Sequence, residues 1–333
     1  MSAGRSWRIG LVPLTDAAVL IAATELGFAR AAGVAIELLP QPSWATLRDE
    51  LALGHLDAAH MLAPLAAAVR LGLSGPRADL VAGTALNLNG NAVTVSLDLW
   101  AEMAGDGAGA DLAAAARAFV AAARRRSAAG RPLVLGTVFP FSCHTYQLRA
   151  FARLGGGRLD DLAQLVVVPP PRTAAALGEG RIDGFCVGSP WNSVAVAAGT
   201  GCIAAFGSEI APDCPEKVLA LPEADLGHAG PLLAALAAAA AWCAAPENRG
   251  DLAGLLAAPR HLGVPAGLVR RSLDGDLLVA PDGTTRADPR YLVLGEPGRP
   301  GAHARWIAEA MAEAGQGDPT ALAAAAEAVW ASG

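Results

Sequence analysis

Residues 51–64 read LALGHLDAAHMLAP, and residues 177–190 read LGEGRIDGFCVGSP. At a constant offset of 126 (177 minus 51), Leu51 aligns with Leu177, Gly54 with Gly180, Leu56 with Ile182, Asp57 with Asp183 and Pro64 with Pro190. Each copy has the order expected of a helix end, a glycine stop, a short strand and a proline-marked loop. Upstream, FAR recurs at Phe28 and Phe151, each time on a helix that precedes a strand-like LLP or VVVP run. One such coincidence is cheap and an ordered set is not, so the chain reads as two similar α/β units. Asp57 and Asp183 hold equivalent places in the repeat. That equivalence points to a shared structural task, such as capping the following turn, more than to a pair of catalytic acids.

Working outward, β-type runs alternate with helical stretches. RIGLVPL, AIELLP, DAAHML, DLVAGTAL, PLVLGTVF, QLVVVPPP and DGFCVG are separated by segments such as DAAVLIAATELGFARAAG. This is the pattern of parallel sheets with crossover helices. Ligands in such sheets bind beyond the carboxyl ends of the strands. The loops that matter are therefore PLTD (13–16), QPSW (41–44), MLAP (61–64) and NLNGN (87–91) in the first unit. In the second they are FPFSCH (139–144), PPPR (169–172) and VGSPWN (187–192). Several of these loops open a helix, whose first N–H groups favour an anion.

Composition narrows the classes. The chain has 333 residues, 53% of them hydrophobic, with a mean hydropathy of +0.38, enough for two cores. Net charge is −6 and the longest basic run is Arg124–Arg126, so no direct nucleic-acid surface is expected. GPLLAALAAAAAWCAA is apolar but short for a membrane span and reads as a buried core helix, with no membrane role. MSAGRSWRIGLVPL has no apolar stretch before the first strand, from which a cytoplasmic location is expected. The five cysteines are scattered, with no C-x-x-C pair, and no cofactor or metal site is proposed. His60 reads as structural, while His55, His228, His261 and His303 lack partners at ligand spacing. The GGG run at 155–157 is a helix stop, since no Gly-Lys-Ser/Thr follows.

Lys217, in PDCPEKVLALPE (212–223), is the only lysine among 25 basic residues. An ammonium is compact where a guanidinium is a wide fork, so this position suits a small anion site. Each candidate also has an ordinary reading: Lys217 as a surface lysine, Trp44 as a core aromatic at a helix start, His144 as a helix cap, Trp191 as packing near an interlobe hinge.

PLTDAAVLIAATELGF, SWATLRDEL, DAAHMLAP, LNLNGNAVTVS, TVFPFSCHTYQLRAF, VVVPPPRTAAALGEGRIDGFCVGSPWN and SEIAPDCPEKVLAL, in this order, resemble the blocks of the nitrate and bicarbonate solute-binding proteins of ABC transporters. The resemblance implies a two-lobed periplasmic-binding-protein fold of type II, with lobe 1 formed by residues 1–92 and 206–333 and lobe 2 by 93–205. It implies a small planar oxyanion held by Trp44, Asn91, His144, the backbone near Gly188, and Lys217, with Pro170 and Val187 lining the pocket. Trp44 and Asn91 would come from the first lobe, His144 and Gly188 from the second. The family pattern has glutamine where Asn91 stands, a side chain longer by one methylene.

The chemistry fits a nitrate ligand: a flat monoanion with three acceptor oxygens asks for donors and one compensating cation. Bicarbonate would ask for an acceptor as well, and its binders resemble this chain except for an acidic residue where Lys217 stands. With no nucleophile–base pair, an enzyme is not expected; Cys143 beside His144 is the only candidate pair, as thiamine-precursor relatives would require. With no leader, the chain resembles the cytoplasmic nitrate or nitrite sensor of the NasS type. Its implied partner is an RNA antiterminator with an ANTAR domain, sequestered until ligand arrives. The alternative is the receptor of a nitrate ABC transporter.

Overall fold

A computed structural model describes residues 6–331. Residues 1–5, on which the leader argument rests, lie outside the described residues. The strands are β1 (Ser6–Leu11), β2 (Ala35–Pro40), β3 (Ala58–Leu62), β4 (Leu80–Asn89), β5 (Asn91–Ser96), β6 (Leu133–Thr137), β7 (Ala163–Val167), β8 (Gly184–Gly188), β9 (Gly201–Phe206), β10 (Pro215–Pro222), β11 (Asp276–Leu278), β12 (Thr285–Ala287) and β13 (Leu292–Leu294). They form a six-stranded sheet in the order β13-β4-β10-β3-β1-β2, a five-stranded sheet in the order β7-β6-β8-β5-β9, and a small β11-β12 hairpin.

The parallel pairing expected of the crossovers is present, and antiparallel strands are added to it. β1 pairs in parallel with β2 and β3, and β6 with β7 and β8, as βαβ crossovers require. The strands added to each of these cores run the other way: β10 is antiparallel to β3 and β4, and β5 is antiparallel to β8 and β9. NAVTVS, GCIAAF and PEKVLALP are therefore strands as well. Their almost continuous burial hides the alternation that would mark a half-exposed strand.

The duplication is visible atom by atom. Asp57 accepts from the Arg8 backbone N–H at 2.8 Å and returns its own N–H to the Arg8 carbonyl at 2.9 Å. Asp183 accepts from the Val134 N–H at 2.8 Å and returns its N–H to the Val134 carbonyl at 2.7 Å. Both residues of the second pair stand 126 positions after those of the first. The aspartates thus tie the entrance of β3 or β8 to the neighbouring parallel strand, rather than capping the next turn. Just before them, Gly54 and Gly180 end their helices at φ +78° and +67°, a conformation that glycine adopts without cost.

The helix Gly230–Ala244 is not wholly buried. It hides Leu232, Ala235, Leu236, Ala239 and Cys243, and exposes Ala234, Ala237, Ala238 and Ala241. Among the described residues no single helix is long and apolar enough to cross a membrane. One core cluster fills the five-stranded unit around Phe119, Phe151 and Val93, and a second lies around Trp7, Ile9 and Leu236. A third joins Trp44 and Leu62 to Val138, Val187 and Trp191, so that apolar contact runs from one sheet to the other.

The chain passes between the sheets at Asn89-Gly90. Asn89 has φ +58° and is held by its side chain: Nδ2 donates to the Arg290 carbonyl and Oδ1 accepts from the Cys214 N–H. A Cβ on Gly90, at φ +103°, would meet Leu292 Cδ1 at 2.9 Å. The two aspartate clips supply the first prediction. Asp57→Ala and Asp183→Ala should each destabilise by about 1–3 kcal/mol, the scale of leaving a hydrogen-bonding group unpaired. Urea unfolding of both variants should show it, and an effect confined to one clip would deny them a common role.

Candidate functional site

Lys217 is fully buried, as are Glu216, His60, His144 and Asn91, and Asp16 is 3% exposed. The Lys217 Nζ lies 2.9 Å from Asp16 Oδ2 and 2.6 Å from Glu216 Oε1. Successive residues of a regular strand point to opposite faces, so Glu216 and Lys217 should not meet. They meet because β10 is irregular there. Pro215 opposes Leu88 and Lys217 opposes Asn87, which leaves Glu216 as an extra residue in the ladder.

Around this ion triad the side chains converge from both sheets. His60, on β3, places Nε2 2.9 Å from Asp16 Oδ1. The Trp44 ring, at the start of the helix Trp44–Ala52, lies 5.4 Å from the Lys217 ammonium and 5.9 Å from the His60 ring. Ser43 caps that helix through the Thr46 N–H, which fixes where Trp44 enters. From the other side, His144 Nε2 comes within 3.5 Å of Glu216 Oε1. Asn91 Nδ2 donates to Glu216 Oε2 at 2.8 Å and to Gln147 Oε1 at 3.0 Å. A Cβ on Gly188 would stand 3.5 Å from both Asn91 Oδ1 and Asp16 Oδ2, so this backbone forms a wall of the site.

Trp44, Asn91, His144, Gly188 and Lys217 thus come together. Asn91 pairs with Gly188 in β5 and β8, so it belongs to the five-stranded sheet rather than to the first unit. Val187 is buried in the core cluster that includes Trp44, and its carbonyl accepts from Asn192. Pro170 is buried one turn after β7, where its carbonyl accepts from Thr173. Ser142 caps the helix Cys143–Leu154, which frees His144 from the capping role. Trp191 donates to the Pro13 carbonyl at 3.1 Å, and Thr15 N–H to the Ser189 carbonyl at 2.8 Å. These two bonds clasp the loop after β1 to the loop after β8.

Asp16, His60, Gln147 and Glu216 belong to the same cluster although sequence reasoning did not select them. Asp16 ends the PLTD loop, and Gln147 lies one turn along from His144 on the same helix face. Those two signals were available. Glu216 had none, because only the irregular strand turns it inward.

Burial opposes the charged forms of both Asp16 and Lys217, but each overcomes it through the other. Asp16 is held below its usual carboxylate value by Lys217 and His60, and Lys217 is held above its usual value by Asp16 and Glu216. The ammonium is thus already in contact with two carboxylates. His144, by contrast, is pushed down by burial to about 4.

Several buried polar atoms of the cluster have no hydrogen-bond partner, the acceptors Asp16 Oδ1 and Asn91 Oδ1 among them. Trp44 Nε1, Thr15 Oγ1, Gln147 Nε2, His60 Nδ1 and His144 Nδ1 are buried without hydrogen-bond partners. Asn91, with its amide spent on Glu216 and Gln147, hands the free amide to Gln147. Cys143 and Cys214, far apart in sequence, converge with Glu216, their side-chain polar atoms all within 4.8 Å. Burial raises both thiols above their usual value, and Cys143 donates to the Pro215 carbonyl rather than pairing with His144. No activated nucleophile results.

The NMT1-like family pattern matches residues 3–257. The chain belongs to that family. It is 30% identical over 279 residues to the nitrate/nitrite binding protein NrtA of Nostoc sp. PCC 7120, covering 81% of this chain and 61% of that one. It is also 30% identical over 290 residues to the bicarbonate-binding protein CmpA of Synechococcus elongatus, covering 83% and 62%. The crystal structure of the periplasmic nitrate-binding protein NrtA from Synechocystis PCC 6803 superposes with a TM-score of 0.86 at 25% identity, over 97% of this chain and 85% of that one. The fold is therefore the α/β periplasmic-binding-protein fold. The chain spans about three fifths of the length of the curated NrtA and CmpA relatives. Those relatives are named as binding proteins, not as enzymes.

The triad yields a prediction about stability. Lys217→Met leaves two buried carboxylates without their cation and should cost about 3–5 kcal/mol near neutral pH. Asp16 is depressed from 3.8, so its contribution is present above that value and lost as pH falls; Lys217 is raised from 10.5, so its contribution persists until strong alkali. The penalty should therefore shrink below about pH 4, where the stranded carboxylates accept protons. Denaturation of parent and variant at about pH 7 and about pH 4 measures it, and a penalty equal at both would contradict the triad.

Proposed function

We propose that the chain binds nitrate, and nitrite with it, in a cleft between the lobe of the six-stranded sheet and the lobe of the five-stranded sheet, with the division expected at 92/93 and 205/206 moved to the ends of β5 and β9 at Asn91 and Phe206. The observation that carries this reading is the set of buried, unpartnered donors around Lys217. Trp44 Nε1 and the ring nitrogens of His60 and His144 are buried without hydrogen-bond partners, and an acceptor oxygen would satisfy their N–H groups. The names of the NrtA relatives agree with a flat oxyanion. Trp44, His144, the Gly188 backbone and Lys217 are the ligand-holding groups in this reading. Gln147 supplies the amide, with Asn91 positioning it, and Pro170 and Val187 form the apolar wall.

A second reading is bicarbonate. Its hydroxyl needs an acceptor, and Glu216 and Asp16 are carboxylates within the cluster even though position 217 is a lysine. The CmpA relatives are as similar to the chain as the NrtA relatives are. Calorimetric titration with nitrate, nitrite, bicarbonate and sulfate separates the two. Binding of nitrate and nitrite with exclusion of sulfate is expected, and binding of bicarbonate alone would replace the nitrate reading.

For the role in the cell, we propose a cytoplasmic sensor of the NasS type, whose partner is an antiterminator with an ANTAR domain. The sequence resemblance supports this role; the naming of the Synechocystis relative as periplasmic supports the alternative, a receptor for a nitrate importer. The discriminating experiment is size-exclusion chromatography of the protein with an ANTAR-domain antiterminator. A complex that dissolves on addition of nitrate is expected, and no complex in its absence would leave the receptor.

Because the donors come from both lobes, ligand binding favours closure. The radius of gyration from small-angle scattering should fall on adding nitrate. An unchanged radius at saturation would mean that the cleft does not open.

A further inference from the structure

The buried cluster is unbalanced. Lys217 contributes one positive charge, while Asp16 and Glu216 contribute two negative charges. A monoanion entering this cluster would face two negative charges with one positive and raise the net charge from −1 to −2 in a buried place, which is strongly unfavourable. The other titratable groups facing the cluster are His60 from β3, His144 from the helix Cys143–Leu154, the thiols of Cys143, Cys186 and Cys214, and the hydroxyl of Tyr291. Thiols and phenols lose protons to become negative, so only the two histidines can add positive charge.

We propose that the anion is taken up together with one proton, which His144 receives. The closed site then holds Lys217 and the His144 imidazolium against Asp16, Glu216 and the anion, so the proton cancels the charge of the anion and the cluster keeps the net charge of −1 that it has when empty. This rests on the reading that a monoanion such as nitrate binds here.

The geometry distinguishes the two rings. His60 is already engaged, since its Nε2 lies 2.9 Å from Asp16 Oδ1. His144 lies 3.5 Å from Glu216, and neither of its ring nitrogens has a hydrogen-bond partner. A neutral imidazole carries a single N–H and cannot donate to Glu216 and to a ligand together, whereas an imidazolium donates from both nitrogens. In the empty site burial keeps His144 neutral near pH 7, with a value of about 4, so the proton comes from solvent at the moment of binding. The reaction is protein plus nitrate plus one H⁺ giving the closed complex, with the proton bonded to His144 and the buffer left one proton poorer.

Nitrate titrations of the full chain at about pH 7, in two buffers of different ionisation enthalpy, measure the protons taken up. Close to one proton per nitrate is expected, with Kd weakening toward tenfold per pH unit between about pH 6 and 8. In ¹⁵N-histidine spectra of the parent, both nitrogens of the His144 ring should move to imidazolium shifts on adding nitrate. His144→Gln keeps a donor but cannot accept a proton, so any binding it retains should proceed without uptake. Nitrate bound with no proton uptake, or with one His144 nitrogen still a bare lone pair, would overturn this proposal alone. Absence of nitrate binding across the whole pH range would instead remove the reading it rests on.

Discussion

The ion triad of Asp16, Lys217 and Glu216 is the constraint around which the rest of the site is arranged. Two carboxylates and an ammonium without solvent are tolerable only in mutual contact, at 2.9 and 2.6 Å. Holding them there fixes three separate parts of the chain. Asp16 pins the loop after β1, Lys217 pins β10 to the end of β3, and Glu216 reaches across to Asn91 and His144 in the other unit. The triad is thus a fastening between the sheets. Its polar groups are satisfied largely by one another, which is why the remaining orphan donors stand out as places for a ligand.

The repeat at offset 126 reveals how the two units are built. Each needs a parallel pair whose strands enter side by side, and an aspartate at the second strand's entrance secures that pair through the first strand's backbone. The flanking charges differ: Arg8 reaches Asp57 with its own guanidinium, while Asp183 draws on Arg126 from a helix. The backbone clip is shared and the side-chain supplement is not. That is what a duplicated structural role looks like once the surrounding sequence has diverged.

Much of this was legible in the residues. The helix and strand order and the glycine stops follow from the residue pattern, while the convergence of Trp44, His144, Gly188 and Lys217 was implied by the family resemblance. What was not legible depended on backbone irregularity or on burial. Glu216 points inward only because of the uneven register of β10, which leaves no mark in a string of residue types. His60 lies within an apolar strand and looks structural until Asp16 is seen beside it. The antiparallel strands β5, β9 and β10 are buried on both faces, so the period-two signal is missing. The contact of Lys217 with Asp16 was not legible, since the two lie far apart in sequence, and its contact with the adjacent Glu216 depends on the irregular strand.

The passage from β4 to β5 takes place at Asn89 and Gly90, and the return from β9 to β10 lies between Phe206 and Pro215. Asn91, Glu216 and Lys217 are all within two residues of an end of these crossings, and Trp44 and His144, mounted at the starts of helices elsewhere in the chain, meet them in space. Any turn of one unit against the other would pass through this backbone, and the contacts of the polar cluster would be made or broken with it. Sensitivity to ligand would accordingly be adjustable from the pivot backbone, through how readily it turns, without altering any group that touches the ligand.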